Sequence, residues 1–422
     1  MDADQDAQPR HHAVVSGEDV ITPLPRITLQ AFCETPGVAA TMQAAVADRR
    51  MDKAHARIQM GGPAAAVEAF RSAPTPNIIV LETVSDPAAL IGHLDTLSES
   101  CDAGTKVVVI GHVNDVQLYR DLIRRGVSEY LIAPLGTLDV LRTLSELYVS
   151  ASARNLGRII AVMGAKGGVG ASTVAHNVAW AIARNLDAQT VIVDLDIPFG
   201  TAGLDFNQDP PQGVAEAVFA PERLDANMLD RLLSRCSDNL ALLAAPAMLD
   251  RTIDLPEDAF DQLFDLLRAS VPCVVLDVPH SWNAWVKRAL IGSDEVVVVA
   301  APELASLRNA KNLIDLARAS RPNDSGARLV LNQVGVPKRP EIDAAEFAKA
   351  LGVEVLTSIP FDAQLFGTAA NNGQMIAEVQ AGGKINEAFV QIASALTGRG
   401  EAKRGKRSLF EPIVARLKRR KA

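Results

Sequence analysis

Short apolar runs alternate with stretches of helical spacing along most of the chain. Between Arg26 and Ser150 the runs are Ile27–Phe32, Ile58–Met60, Ile78–Leu81, Val107–Ile110 and Tyr130–Ile132. Intervening stretches such as Pro63–Arg71 and Asp115–Arg125 carry apolar residues at helix pitch. Five strands alternating with helices predict a small parallel α/β sheet. A second series starts at Arg158 and continues to about Gly398. Its runs are Ile159–Met163, Thr190–Asp194, Leu240–Ala244, Cys273–Asp277, Glu295–Ala300, Arg328–Asn332 and Glu354–Ser358. Near-continuous β-branched runs are what parallel strands covered on both faces require. The second unit is therefore also α/β, with a helix over Ser172–Asn185 after its first strand.

These patterns divide the chain into a disordered N-terminus (1–25), a first domain (26–150), a second domain (151–398) and a C-terminal tail (399–422). The 422 residues are 48% hydrophobic and 22% charged, enough to bury two cores. Cys33, Cys101, Cys236 and Cys273 lie far apart with no C-x-x-C pair, the usage of reduced thiols in a cytosolic protein. No secretory signal follows Met1, and the strongest apolar run, Val296–Ala301, is far short of the roughly 20 residues that span a bilayer. A soluble, cytoplasmic protein is expected. The net charge of −8 hides an asymmetry, since the tail carries +8 and residues 1–398 carry −16. An acidic body argues against general nucleic-acid wrapping and gives the basic tail a local role.

The candidate chemistry lies at 163–174, Met-Gly-Ala-Lys-Gly-Gly-Val-Gly-Ala-Ser-Thr-Val. Gly164, Ala165, Lys166, Gly167, Gly168, Val169 and Gly170 form a strand-to-helix turn, and Ser172 and Thr173 follow. Backbone N–H groups at a helix N-terminus suit phosphates. The common form of this loop, G-x-x-x-x-G-K-[ST], has a lysine before the hydroxyl residue. Here that position is Ala171, and Lys166 is the loop's one lysine. Asp194 and Asp196 follow the second strand of the unit, and Asp277 ends a later one. Ligands of open α/β sheets sit beyond the carboxyl ends of the strands, so the three carboxylates should converge there. They are suited to holding Mg²⁺ or orienting a water.

Lys-Gly-Gly-Val-Gly with Ser-Thr behind it, then Asp-x-Asp, resembles the deviant Walker A ATPases of the MinD/ParA class. Ser293-Asp-Glu-Val-Val-Val-Val-Ala-Ala-Pro-Glu, Leu329-Val-Leu-Asn and Ser358-Ile-Pro-Phe-Asp continue the match in order. The resemblance implies a P-loop NTPase with a doubly wound, mainly parallel sheet that binds ATP and Mg²⁺. It implies a homodimer in which Lys166 reaches the partner's phosphates. It also implies that Ser172, Asp194 and Asp277 serve the metal, Thr173 a phosphate, and Asp196 the hydrolytic water. Asn332 would read adenine, with Pro360, Phe361 and Asp362 closing over the base. Two departures, Ala171 and Ser281 in place of a glycine after Asp277, imply weaker binding and slow turnover.

The first domain, ending in Ser128-Glu-Tyr-Leu-Ile-Ala-Pro-Leu, resembles a response-regulator receiver of flavodoxin-like fold. An active receiver needs acidic residues after its first strand, an aspartate after the third, a Ser/Thr after the fourth and a lysine before the final proline. This chain offers Cys33-Glu34, Glu82 or Thr83, Gly111 and Ala133. Phosphorylation is not expected. Glu82 could hold a fixed negative charge in place of a phosphoryl group, but as an isolated glutamate it is expected at the surface. A receiver-like docking domain ahead of such an ATPase is the arrangement of the CpaE/TadZ family. Those proteins localise and assemble Flp/Tad type IV pilus machinery at a cell pole.

In the tail, Leu409, Phe410, Ile413, Val414 and Leu417 fall on one side at helical pitch, ringed by basic residues. This resembles the membrane-binding helix of MinD relatives and implies a peripheral contact with the inner membrane. The leading expectation is a nucleotide-dependent spatial organiser recruiting pilus or secretion components. The alternatives are a non-hydrolysing nucleotide-binding scaffold and a DNA-partitioning ATPase of the ParA type. No specific nucleic-acid partner is expected.

Overall fold

The structure is a computed structural model that describes residues 21–102, 104–148, 156–246, 249 and 253–398. Most of the expected N-terminal segment, the link at 149–155 and the basic tail from 399 lie outside the described residues. Packing begins ahead of Arg26: Leu24 is buried, and its N–H donates to Arg50 O over 2.8 Å.

Among the described residues the first unit is a five-stranded sheet of β1 (Ile27–Cys33), β2 (Ala54–Met60), β3 (Ile78–Glu82), β4 (Lys106–Gly111) and β5 (Glu129–Ile132). The order is β2-β1-β3-β4-β5, and every pairing is parallel. That is the flavodoxin-like order, expected when right-handed crossovers put helices on both faces. The central strand β3 is buried throughout, which explains its uninterrupted apolar run. By contrast β2 starts four residues ahead of the expected Ile58–Met60. As an edge strand of half-buried and exposed positions, it shows no continuous apolar run. Glu82 corrects the surface expectation: it is 0% exposed at the end of β3.

The second unit contains β6 (Arg158–Gly164), β7 (Thr190–Asp194), β8 (Ser234–Arg235), β9 (Leu240–Leu243), β10 (Cys273–Val278), β11 (Glu295–Ala300), β12 (Arg328–Val334) and β13 (Val355–Pro360). They form one sheet in the order β13-β12-β11-β6-β10-β7-β9-β8, parallel except for β8 against β9. At two polar residues, β8 is too short to show any period, and the sequence reading missed it. Along β6, Ile159, Ala161 and Met163 enter one core layer while Ile160 and Val162 enter the other. This two-sided burial places β6 mid-sheet, so the loop that follows it emerges at the centre of the carboxyl edge.

The units meet at the opposite edge. Arg49 and Arg50, in a short turn before β2, reach Asp294 immediately ahead of β11 and Asp324 ahead of β12. Asn323 Nδ2 donates to Asp48 Oδ2 over 2.9 Å across the same seam. The first unit therefore docks on the amino edge of the second sheet and leaves the glycine loop's edge uncovered by this contact.

Candidate functional site

The glycine loop runs from Gly164, the last residue of β6, into the helix Ala171–Asn185. Gly170 caps that helix in the left-handed region, with φ of 80°. A side-chain carbon there would lie 2.5 Å from Asn332 Nδ2, so the position needs glycine for both conformation and space. The loop's outer face is open instead. A carbon on Gly168 would meet nothing within 4 Å, and one on Gly167 only His280 Cδ2 at 3.8 Å. Ala165 and Val169 are buried as the loop's anchors, and the Ala165 N–H donates to Val299 O over 2.8 Å. Ala171, Ser172 and Thr173 are half-buried at the start of the helix. Ala171 packs on the adjoining core with a methyl group and no charge.

Asp194 and Asp277 end neighbouring strands in direct register. Both are buried, and Asp194 accepts backbone N–H bonds from Asp196 at 3.0 Å and Ala202 at 3.1 Å. Burial, with the charge of Asp277 beside it, pushes the Asp194 carboxyl up. Asp196 lies beyond the strand end and is half-buried, and it accepts from the Phe199 N–H over 3.2 Å. Burial raises it as well. The structure thus brings Asp194 and Asp277 side by side and leaves Asp196 nearest solvent.

His176 was missed in the sequence, where it reads as one more position on a buried helix. It is wholly enclosed, with Nδ1 2.7 Å from Asp205 Oδ2 and Nε2 3.2 Å from Asp277 Oδ2. The second contact is an ion pair that misses hydrogen-bond alignment. Burial opposes a charged imidazole, but the two carboxylates outweigh it and push His176 up to about 10. An imidazolium between them offsets the crowding of negative charge at Asp277. It also ties the short helix Ala202–Asp205 to the end of β10.

Two neighbours on β12 support the loop from the other side. Asn332 is buried and its Nδ2 donates to Val169 O over 2.8 Å. Gln333, also missed in the sequence, holds a φ of 56° and donates to Gly168 O over 2.8 Å. A positive φ at a non-glycine residue is uncommon, and here it directs the side chain onto the loop. Past β13, Phe361 is exposed and its N–H donates to Val334 O at 2.8 Å, while Asp362 caps the next helix through the Leu365 N–H at 2.9 Å. Pro360, Phe361 and Asp362 thus form an exposed rim near the end of β12. Lys166 is part-exposed and ion-paired with Glu303, which lowers that carboxyl.

The donor set fits a polyphosphate with a divalent cation in three respects. There is an open glycine turn at a helix start, two hydroxyls at its base, and carboxylates at the ends of the adjoining strands. It lacks the intrachain cation that Ala171 omits.

Residues 157–322 match a protein family described as "AAA domain". The septum site-determining protein MinD of Bacillus subtilis is 26% identical over 237 residues, 53% of this chain and 82% of that protein. A ParA family ATPase from Chlorobium tepidum TLS superposes with a TM-score of 0.52 at 25% identity, covering 57% of this chain and 98% of that chain. A pilus assembly protein CpaE from Caulobacter crescentus CB15 is 48% identical, with a TM-score of 0.30 over 31% of this chain and 98% of that one. The expected fold class holds: α/β, with a second unit of the MinD/ParA P-loop NTPase type.

Proposed function

We propose that this chain is a MinD/ParA-like ATP-binding protein that hydrolyses slowly and helps localise and assemble a Flp/Tad type IV pilus or secretion machinery. One observation carries the nucleotide reading: the open glycine turn sits at the carboxyl edge beside Asp196 and Asp277, with an alanine where the intrachain lysine would stand. When bound, ATP would supply the phosphates, and Mg²⁺ would supply positive charge to offset theirs. Backbone N–H groups of the turn from residue 166 to residue 171 would cradle the phosphates, with Thr173 as a further contact. Ser172, Asp194 and Asp277 would hold the metal, and Asp196 would orient water. The exposed 360–362 rim would frame the base, and Asn332, whose Nδ2 is committed to Val169 O, would have its Oδ1 left to read it. Ala171 leaves phosphate charge uncompensated within one subunit, so a homodimer in which Lys166 exchanges Glu303 for the partner's phosphates supplies what is missing.

The pilus role rests on the order of units, a receiver-like domain without an acceptor aspartate followed by this form of the loop. The tail from 399, outside the described residues, would place the protein on the cytoplasmic face of the membrane. A scaffold that binds nucleotide without cleaving it is favoured by one observation, the engagement of Lys166 by Glu303. ATP binding and turnover measured across a protein-concentration series test both readings. Turnover that rises more steeply than protein concentration supports the dimeric ATPase. Binding without turnover at any concentration leaves the scaffold, and absence of binding overturns the nucleotide reading.

A further inference from the structure

The carboxyl edge of the first sheet holds a second cluster, remote from the glycine loop. Its centre is Glu82, the last residue of β3, which is 0% exposed. A fully buried carboxylate persists only where its oxygens are satisfied. Glu82 Oε2 accepts the backbone N–H groups of Glu34 at 2.8 Å and Thr35 at 2.9 Å. Its Oε1 accepts the Thr35 hydroxyl at 2.6 Å and lies 3.0 Å from His112 Nε2. Glu34 answers across the same gap, accepting the Val84 N–H on its own Oε2 at 2.7 Å. Burial would raise the Glu82 carboxyl, yet these bonds hold it below the usual range.

We propose that this cluster is an oxyanion-binding nest whose ligand is the chain's own Glu82 carboxylate, which locks the segments after β1, β3 and β4 into one arrangement. Two successive N–H groups converging on one oxygen make a concavity suited to an anion. The remaining oxygen meets a hydroxyl and an imidazole from other segments. The length of the ligand is fixed as well, because Glu82 is held in parallel register opposite Ile110. Aspartate would fall one methylene short of the donors. Since the occupant is covalently attached, no diffusible anion competes with it at ordinary concentrations. This edge then works as a permanently liganded platform and not as a ligand-driven switch.

The test is hydrogen exchange on the full chain, comparing wild type with Glu82→Ala in sodium chloride and in sodium acetate of equal ionic strength. Amides of Glu34 and Thr35 in the variant are expected to lose protection by about tenfold or more in chloride. Acetate, a carboxylate small enough for the vacated space, is expected to restore most of that loss and to leave wild type unchanged. Wild-type protection of these amides in the variant in chloride, or no gain in acetate over chloride, overturns the proposal. Should Glu82→Ala unfold the first unit, Glu82→Met decides. It fills nearly the same space with a thioether that offers the N–H donors no carboxylate or carbonyl oxygen, so the same two amides must lose protection with no response to acetate. Retained protection in Glu82→Met overturns the proposal.

Discussion

Arg49 of the first unit donates through Nε to Asp324 of the second over 2.7 Å, and each side chain is only 6% exposed. Arg50 also reaches Asp324, while Arg321 approaches the same carboxylate at 2.7 Å from within its own unit. Arg49 bridges further to Asp294 at 3.5 Å, which Arg268 holds at 2.6 Å. Buried charges at this density make removal of one partner far more damaging than loss of a surface pair. Asp324→Asn leaves three guanidinium groups facing one neutral amide. It is expected to destabilise the chain by about 3–5 kcal/mol, read from urea unfolding of the full chain. Burial raises Asp294 and Asp324, but their arginines outweigh it and lower both. Their contribution is therefore present above the ordinary carboxylate pKa and is lost as pH falls below it. An unfolding midpoint in Asp324→Asn that matches wild type would show the seam to be incidental.

His176 predicts a pH dependence of the opposite sense. Its folded value is raised from 6.5 to about 10 by Asp205 and Asp277 against the opposing effect of burial. The stability it contributes is thus fully present below about 6.5 and is lost as pH rises through about 10. Replacing it with alanine leaves Asp277 buried beside Asp194 with no cation between Asp277 and Asp205. The gap between wild type and His176→Ala should be wide at pH 6 and close steadily toward pH 10 in denaturant titrations. A gap of constant width would mean that His176 acts by packing alone.

The elements that position the site were legible because they depend on local pattern. β7 and β11 carry β-branched runs buried on both faces, and their expected bounds match the observed ones. The glycine turn announces itself through residue type. What was not legible depends on contacts distant in sequence. Arg49 and Asp324 are 275 residues apart, and no periodicity pairs them. His176 looks like helix filler until Asp205 and Asp277 are placed on either side. Glu82 reads as a surface carboxylate until the N–H groups of Glu34 and Thr35 are brought to it. Gln333 needs its positive φ before its reach to Gly168 is intelligible. A buried polar residue takes its meaning from its partners, and partners are a tertiary fact.

The basic tail predicts vesicle binding that depends on charge. Lys/Arg residues near an anionic surface gain about 1 kcal/mol each, and the apolar stripe from Leu409 to Leu417 adds insertion. Full-length protein is expected to co-sediment with anionic vesicles at low salt and to be released as salt rises, and the form lacking residues 405–422 should stay in the supernatant. Equal sedimentation of both forms would remove the membrane role.

Ala171 predicts the effect that bears most directly on the site. It opens the helix behind Gly170, beside the turn that the Asn332 and Gln333 side chains hold in place. Because these supports act through Val169 and Gly168 carbonyls, they do not depend on the residue at 171. The prediction requires a lysine at 171 to reach the open face of the turn, where a carbon on Gly168 would meet nothing within 4 Å. A charge-assisted bond to phosphate contributes about 1.5–3 kcal/mol, so Ala171→Lys should tighten ATP binding by roughly 10- to 100-fold. The gain should appear in dilute protein, where dimer is scarce, and the dependence of binding on protein concentration should weaken. Asp277→Asn in the same background separates phosphate contact from metal contact: affinity for ATP without Mg²⁺ should survive, and the added benefit of Mg²⁺ should not. Titration of a fluorescent ATP analogue with and without Mg²⁺ reads all of these. If Ala171→Lys binds no tighter than wild type, the phosphates do not lie over this turn.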